Sequence, residues 1–135
     1  MTGGIGTFHH VGLACRSIEA EIAGLAALGY VAEGEAISDP IQKVRVQFFA
    51  GAGPRVELVE PAAADSPVQG VLKRGTKLYH FAYEVRDLDI AMAQLSRQGY
   101  RPLTRPAPAV AFAMRQIVFM MSASLNLIEL IEQEP

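Results

Sequence analysis

The hydrophobic pattern of the first half of the chain changes its period along the sequence. Residues 8–15 show the two-residue alternation of a strand, and residues 18–28 carry apolar positions at helical spacing. Ser17 suits the N-cap of that helix and Gly29 suits its C-terminal end. Residues 43–61 alternate again on both sides of a glycine-containing turn, which predicts a hairpin.

The second half of the chain repeats this order. Residues 78–85 alternate like a strand, and a helix is predicted from an N-cap at Asp87 to a stop at Gly99. Two further strands are predicted at 115–121 and 125–132. A strand, a helix and a group of strands therefore follow one another twice.

Three connecting segments complete the prediction. Short strands near 31–37 and 100–104 give each half the order βαβββ. A capping pattern predicts a linker helix over residues 65–75, between the halves. Residues 101–115 hold three prolines and several small apolar residues, which predicts a loop that enters the penultimate strand.

The two halves also match residue by residue. His10 and His80 lie 70 positions apart, within "FHHVGLA" and "LYHFAYE". Glu57 and Glu129 lie 72 positions apart, within "RVELVEP" and "LIELIEQ". Two copies are too few for a solenoid, so the repeat predicts a pair of modules that close around a shared cleft. The modules span about 6–61 and 76–133 within one domain of residues 1–135.

The duplicated residues are candidates for a metal site. His10 and His80 share their strand faces with small residues, while the bulky neighbours face the other way, where a helix would pack. Glu57 and Glu129 follow the same alternation. Burying two acids in apolar strands is costly, and a divalent cation would compensate their charge. We therefore predict that His10, Glu57, His80 and Glu129 bind one metal ion.

Two other reactive side chains are interpreted as structural. His9 corresponds to Tyr79 in the repeat and points away from the side of His10, so it is expected in the core or at the surface. Cys15 lies on the packed side of its strand and is predicted to be an inert core residue. No nucleophile elbow, P-loop or dinucleotide fingerprint occurs in the chain.

Composition narrows the range of partners. Half of the residues are hydrophobic and the net charge is −2, so nothing indicates a nucleic-acid partner. No apolar run approaches the length of a membrane span, and the N-terminal segment lacks the pattern of a signal peptide. A single cysteine fits a reducing compartment. These features predict a cytoplasmic protein with no membrane partner.

Motifs from both halves resemble a known family. "HHVGLA", "RVELVEP", "YHFAYEV" and "NLIELIE" are similar to the vicinal oxygen chelate superfamily, also called the glyoxalase/bleomycin resistance/dioxygenase superfamily. The middle of the chain, "VELVEP" followed by "DSPVQGVLKRG", resembles the methylmalonyl-CoA epimerases of that superfamily in particular. The resemblance implies an α+β fold in which two βαβββ modules in tandem form a U-shaped mixed sheet around a central metal cleft. A small-molecule substrate or ligand and a homodimer are also expected.

The resemblance further implies a chemistry. The metal would be cobalt, manganese, nickel, zinc or iron, and the expected activity is that of an isomerase or epimerase. Such an enzyme abstracts a proton next to a metal-chelated carbonyl, and Glu129 is the residue expected to act as the base. Two alternatives stay open: a binding protein of the bleomycin-resistance type without catalysis, and a metal-dependent lyase or dioxygenase.

Four residues are predicted to contact a substrate. An enzyme needs hydrogen-bond donors beside the metal, and Arg45, Gln47 and Arg115 are candidates for that role. Arg45 and Gln47 would qualify if the hairpin turn leaves them on the face of Glu57. Phe119 is expected to line the same cavity.

Overall fold

The structure, a computed structural model, describes residues 4–134. The chain divides into two compact units. The first unit is His10–Tyr79, and the second unit combines the residues up to His9 with those from His80 onward. Among the described residues, no helix has the length and apolar character that crossing a membrane would require.

The first unit packs two helices with short strands. Its elements are β1 (Thr7–Ala14, of which the last five residues belong here), α1 (Ile18–Ala27), β2 (Val31–Ala32), β3 (Ile37–Asp39), β4 (Val44–Ala50), β5 (Val56–Pro61) and α2 (Val68–Lys73). The strands pair in the order β2-β4-β5-β1, and β3 also pairs with β4. The pairing of β1 with β5 is parallel, whereas β4 runs antiparallel to its neighbours.

Helix α1 forms where the sequence predicts it. The Ser17 side chain accepts a hydrogen bond from the backbone N–H of Ala20 at 3.3 Å, which caps one of the unpaired amides of the first turn. Apolar residues of α1 and of one strand face then meet in a core. The buried members of that core are Cys15, Ile18, Leu25, Phe49, Val56 and Leu58.

The second unit repeats this arrangement. Its elements are β6 (Leu78–Val85), α3 (Leu88–Ser96), β7 (Arg101–Pro102), β8 (Ala107–Ala109), a 3-10 turn (Val110–Phe112), β9 (Arg115–Met121) and β10 (Leu127–Glu132). The order is β6-β10-β9-β7, with β8 also on β9, and the pairing of β6 with β10 is again parallel. Asp87 caps α3 by accepting from the Ile90 N–H at 3.0 Å. The α+β class and the repeated order of strands and helices are thus confirmed.

Local departures from the sequence prediction have simple causes. The single strand predicted near 31–37 is two short strands, because Gly34 between them adopts a φ of +117° that a strand does not use. The loop predicted over 101–115 contains β8 and a 3-10 turn. Pro108 is tolerated in β8 because this short strand pairs only with β9 among the described strands. The linker helix is shorter than predicted, at Val68–Lys73.

Strand register gives the two units the same local frame. Glu57 on β5 lies opposite Gly12 on β1 and opposite Phe48 on β4. Glu129 on β10 lies opposite Ala82 on β6 and opposite Phe119 on β9. In both units the histidine precedes the small residue by two positions and therefore shares its face. We call the face that carries His10 and Glu57, or His80 and Glu129, the ligand face of its unit.

Candidate functional site

The first unit contains a buried pair of a histidine and a glutamate. His10 on β1 is 0% exposed and Glu57 on β5 is 5% exposed. The distance from His10 Nε2 to Glu57 Oε1 is 3.1 Å. Phe48 on β4 packs edge-on against the imidazole, with ring centroids 5.2 Å apart at 80°. Three neighbouring strands therefore fix the pair from different sides.

The second unit contains the same pair with the same neighbours. His80 on β6 is 2% exposed and Glu129 on β10 is 3% exposed. The Nε2–Oε1 distance is again 3.1 Å. Phe119 on β9 packs edge-on against His80 at 5.2 Å and 75°. The structure thus joins His10 to Glu57 and His80 to Glu129, each within its own unit.

Both pairs have the donors that a divalent first-row metal requires. Imidazole nitrogen and carboxylate oxygen bind such ions at about 2.0–2.2 Å, so two donors at right angles on one ion lie about 3 Å apart. The observed 3.1 Å in each pair is close to that spacing. Both carboxylates are also buried among apolar strand residues, where a cation would offset the cost of their charge. The residues therefore fit a metal on donor type, spacing and burial.

Arg45 and Gln47 do not lie on the ligand face, so the condition on which their predicted substrate contact depends is not met. Residues that are directly opposite in an antiparallel pair share a face, and Glu57 is opposite Phe48. The odd-numbered residues 45 and 47 consequently point to the side of helix α1. Arg45 forms an ion pair with Glu19 of that helix at 2.9 Å, and Gln47 donates to the Gly34 carbonyl at 2.7 Å.

Arg115 and Phe119 do lie on the ligand face of the second unit. Phe119 is opposite Glu129, and Arg115 follows the same alternation on β9. Arg115 is bound to protein groups there: Nη1 contacts Glu84 Oε2 at 2.6 Å and the Glu132 carbonyl at 3.0 Å. Its Nε also donates to the Phe112 carbonyl at 3.1 Å. Whether either residue contacts a substrate stays a prediction.

The sequence interpretation missed two residues beside the first pair. Phe48 occupies the position equivalent to Phe119, 71 residues earlier, and this repeat was the available signal. Arg55 opens the motif "RVELVEP", and its guanidinium carbon lies 4.5 Å from the centre of the Phe48 ring. Arg55 also forms an ion pair with Glu33, from Nη2 to Oε1 at 2.8 Å. The Arg55 guanidinium therefore contacts the same phenylalanine ring that packs against His10.

His9 and Cys15 occupy structural positions. The His9 ring meets Phe112 edge-on, with centroids 5.4 Å apart at 90°. Cys15 is 2% exposed within the core of the first unit. Burial raises the pKa of its thiol from 9.0 to about 11, because the thiolate loses hydration there. A thiol with that pKa is a poor nucleophile at neutral pH.

Known proteins resemble the chain over nearly its whole length. An ethylmalonyl-CoA/methylmalonyl-CoA epimerase of Cereibacter sphaeroides is 28% identical over 90% of this chain and 92% of its own. An uncharacterized protein of Bacillus subtilis, YqjC, is 33% identical over 91% and 89%. The crystal structure of a methylmalonyl-CoA epimerase from Mycobacterium tuberculosis superposes with a TM-score of 0.81 at 26% identity, covering 100% of this chain and 93% of that one.

The sequence model that describes the glyoxalase/bleomycin resistance protein/dioxygenase superfamily matches residues 9–119. That span includes His10, Glu57 and His80, and it extends through both units. The chain belongs to the glyoxalase/bleomycin resistance protein/dioxygenase superfamily.

Proposed function

We propose that the protein is a metal-dependent epimerase that moves the proton on the carbon beside a thioester carbonyl. The observation that carries the proposal is the His–Glu pair, present in each unit with the same distance and the same aromatic neighbour. The relatives that are named as epimerases of methylmalonyl-CoA or ethylmalonyl-CoA support this reaction over others of the superfamily. The substrate class would be a CoA thioester with a carboxylate on the reacting carbon.

His10, Glu57, His80 and Glu129 would together hold one divalent cation. Imidazoles and carboxylates are donors that cobalt, manganese, nickel, zinc and iron all accept. When bound, the cation would act as a Lewis acid that withdraws electrons from neighbouring substrate oxygens and so acidifies the adjacent C–H bond. Phe48 and Phe119 support this role because each fixes the plane of one imidazole.

Glu129 is proposed as the base that takes the proton. Its carboxylate is 3% exposed and lies among apolar side chains of β10, so few water molecules compete for it. When it is released from the cation, a carboxylate that is positioned and poorly hydrated would accept a proton more readily than one in water. His80, 3.1 Å away, limits the orientations that the Glu129 carboxylate can adopt.

The test is exchange of the substrate proton with solvent. Protein loaded with each candidate metal is incubated with methylmalonyl-CoA in D2O, and mass spectrometry follows deuterium on the reacting carbon. Glu129→Gln keeps the shape and an oxygen donor but loses the basicity, so exchange should fall by about 100-fold or more. Metal content, measured by plasma mass spectrometry, should largely persist.

The matched control is Glu132→Gln, on the same strand but on the opposite face from Glu129. This variant should exchange the proton at the rate of the unmodified protein. Full exchange by Glu129→Gln would show that another residue is the base. If no metal gives exchange above the spontaneous rate, the epimerase proposal is wrong, and retention of the thioester without turnover would favour a binding protein.

A further inference from the structure

Each unit carries an arginine on its ligand face, and the surroundings of these two arginines differ. Arg115 on the ligand face of the second unit is 16% exposed in its side chain and binds one carboxylate and two backbone carbonyls. These contacts tie the 3-10 turn to the ends of β6 and β10. In the free protein Arg115 is therefore held by several protein groups at once.

Arg55 is placed differently. It directly precedes β5, and its carbonyl accepts from the Val11 N–H at 2.9 Å, which continues the β1–β5 ladder by one residue. Two positions before Glu57, its side chain belongs to the ligand face of the first unit. The contact with Phe48 confirms that direction, because Phe48 is opposite Glu57.

The guanidinium of Arg55 is oriented before any ligand arrives. Its central carbon lies over the Phe48 ring, 4.5 Å from the ring centre, a distance typical of a cation–π contact. Glu33 holds it through Nε at 3.0 Å and Nη2 at 2.8 Å. The Glu33 N–H in turn donates to the Phe48 carbonyl at 2.9 Å, which keeps the acid beside the ring.

The ion pair with Glu33 is easily exchanged. Side-chain exposure is 35% for Arg55 and 31% for Glu33, so both groups touch solvent. Ion pairs of that kind contribute little to stability, since water competes for each partner. A substrate carboxylate could therefore compete with Glu33 for Arg55, because a guanidinium binds a carboxylate with two parallel hydrogen bonds.

Only the first unit carries an arginine at this position of the repeat. The position equivalent to Arg55 in the second unit is Leu127, 72 residues later. An acyl group with a carboxylate at one end and a CoA chain at the other is itself asymmetric. An arginine at this position in only one unit would favour one orientation of the acyl group, with its carboxylate toward the first unit.

We propose that Arg55 is the specificity-determining residue that recognises the carboxylate of the acyl group, with Glu33 as its counter-ion in the free protein. The inference rests on the proposed function, and it names the group on the substrate that this chain selects. A neutral acyl thioester has no carboxylate that could bind the Arg55 guanidinium.

The experiment compares two thioesters that share the CoA portion. Manganese-loaded protein is titrated calorimetrically with malonyl-CoA, which carries the carboxylate, and with propionyl-CoA, which does not. Arg55→Met keeps a similar apolar stem but removes the charge, and should weaken malonyl-CoA binding about 10- to 100-fold while changing propionyl-CoA binding less than about 2-fold. Arg55→Lys should weaken malonyl-CoA less, because it keeps the charge without the planar fork.

Two further variants control for indirect effects. Glu33→Gln removes the competing anion and should leave malonyl-CoA binding unchanged or tighten it. Arg16→Met removes an exposed arginine elsewhere in the first unit and should change neither thioester. Manganese content of every variant is measured to confirm that the metal is retained.

The outcomes separate this inference from the proposed function. If the unmodified protein binds neither thioester, the proposed substrate class is wrong and the role of Arg55 is wrong with it. If malonyl-CoA binds and Arg55→Met weakens both thioesters equally, or neither, only the role of Arg55 is overturned.

Discussion

The two units share a framework but differ in what surrounds it. Each unit places a histidine on its first strand, a glutamate on the strand parallel to it, and a phenylalanine opposite the glutamate. The 3.1 Å distances and the 5.2 Å ring separations agree between the units. The residues that are proposed to bind a metal are therefore the ones that the repeat has kept alike.

The neighbours of the framework are not alike. The first unit carries Arg55 where the second has Leu127, and the second unit carries Arg115 where the first has Val44. One arginine touches solvent and one is largely buried. The donors of the proposed metal site are the same in both units, whereas a substrate with two different ends would meet different residues in each unit. The difference between the units thus indicates which residues serve each requirement.

The largest expected effect comes from removing one histidine in each unit in turn. His10→Ala and His80→Ala should each lower metal affinity by at least about 100-fold, because either change deletes one donor from a shared ion. Metal content after dialysis, measured by plasma mass spectrometry, provides the comparison. His9→Ala is the control, since His9 packs on Phe112, and it should retain the metal.

Stoichiometry in the same experiment tests whether the units share one ion. One metal per chain in the unmodified protein, lost in both single variants, is the expected result. Two metals per chain, with one remaining in each variant, would mean that each His–Glu pair binds an ion of its own. The shared site would then be wrong, although the pairs would still be metal ligands.

The second prediction concerns the two arginines, and the expected effects on stability are of intermediate size. Arg115→Met leaves the Glu84 carboxylate and two carbonyl groups without their donor in a partly buried place, and should lower the free energy of unfolding by about 1–3 kcal/mol. Arg55→Met should lower it by about 1 kcal/mol or less, because its ion pair is exposed to solvent. Urea unfolding of the metal-free proteins measures both values. Equal losses would contradict the division of roles between the arginines.

The sequence predicted the framework because duplicated residues carry two independent signals. His10 and His80 occupy equivalent strand positions, and strand alternation then places both beside small residues. Neither signal depends on how strands pair. For the same reason the helices and their caps at Ser17 and Asp87 agree with the prediction.

The faces of Arg45 and Gln47 could not be predicted because they depend on strand register. A shift of one residue in the connection between β4 and β5 moves every side chain of β4 to the other face. Pairing of Phe48 with Glu57 fixes that register, and composition does not reveal it. Arg55 was missed for a related reason, since its role depends on a ring that only the pairing brings under it. The domain limits, the homodimer and the cytoplasmic location stay predictions.

The smallest effect is expected from a substitution that makes the cores of the two units more alike. Cys15 corresponds to Val85, and both are almost fully buried at the end of a first strand. Cys15→Val should change stability by less than about 1.5 kcal/mol at pH 8, since the volumes are similar. Above that pH the two proteins should diverge, because only one of them carries a buried thiol.

The direction of the divergence follows from the thiol pKa, which burial raises from 9.0 to about 11. Between these values the unfolded chain loses the thiol proton while the folded protein retains it, so the folded state binds more protons. Stability contributed by the thiol is therefore complete below pH 9 and is lost as the pH rises toward 11. Urea unfolding at pH 8 and pH 10 should show a larger decrease for the unmodified protein than for Cys15→Val. Equal decreases would mean that the thiol has the same pKa in the folded and the unfolded protein. Burial would then not shield the Cys15 thiolate from water.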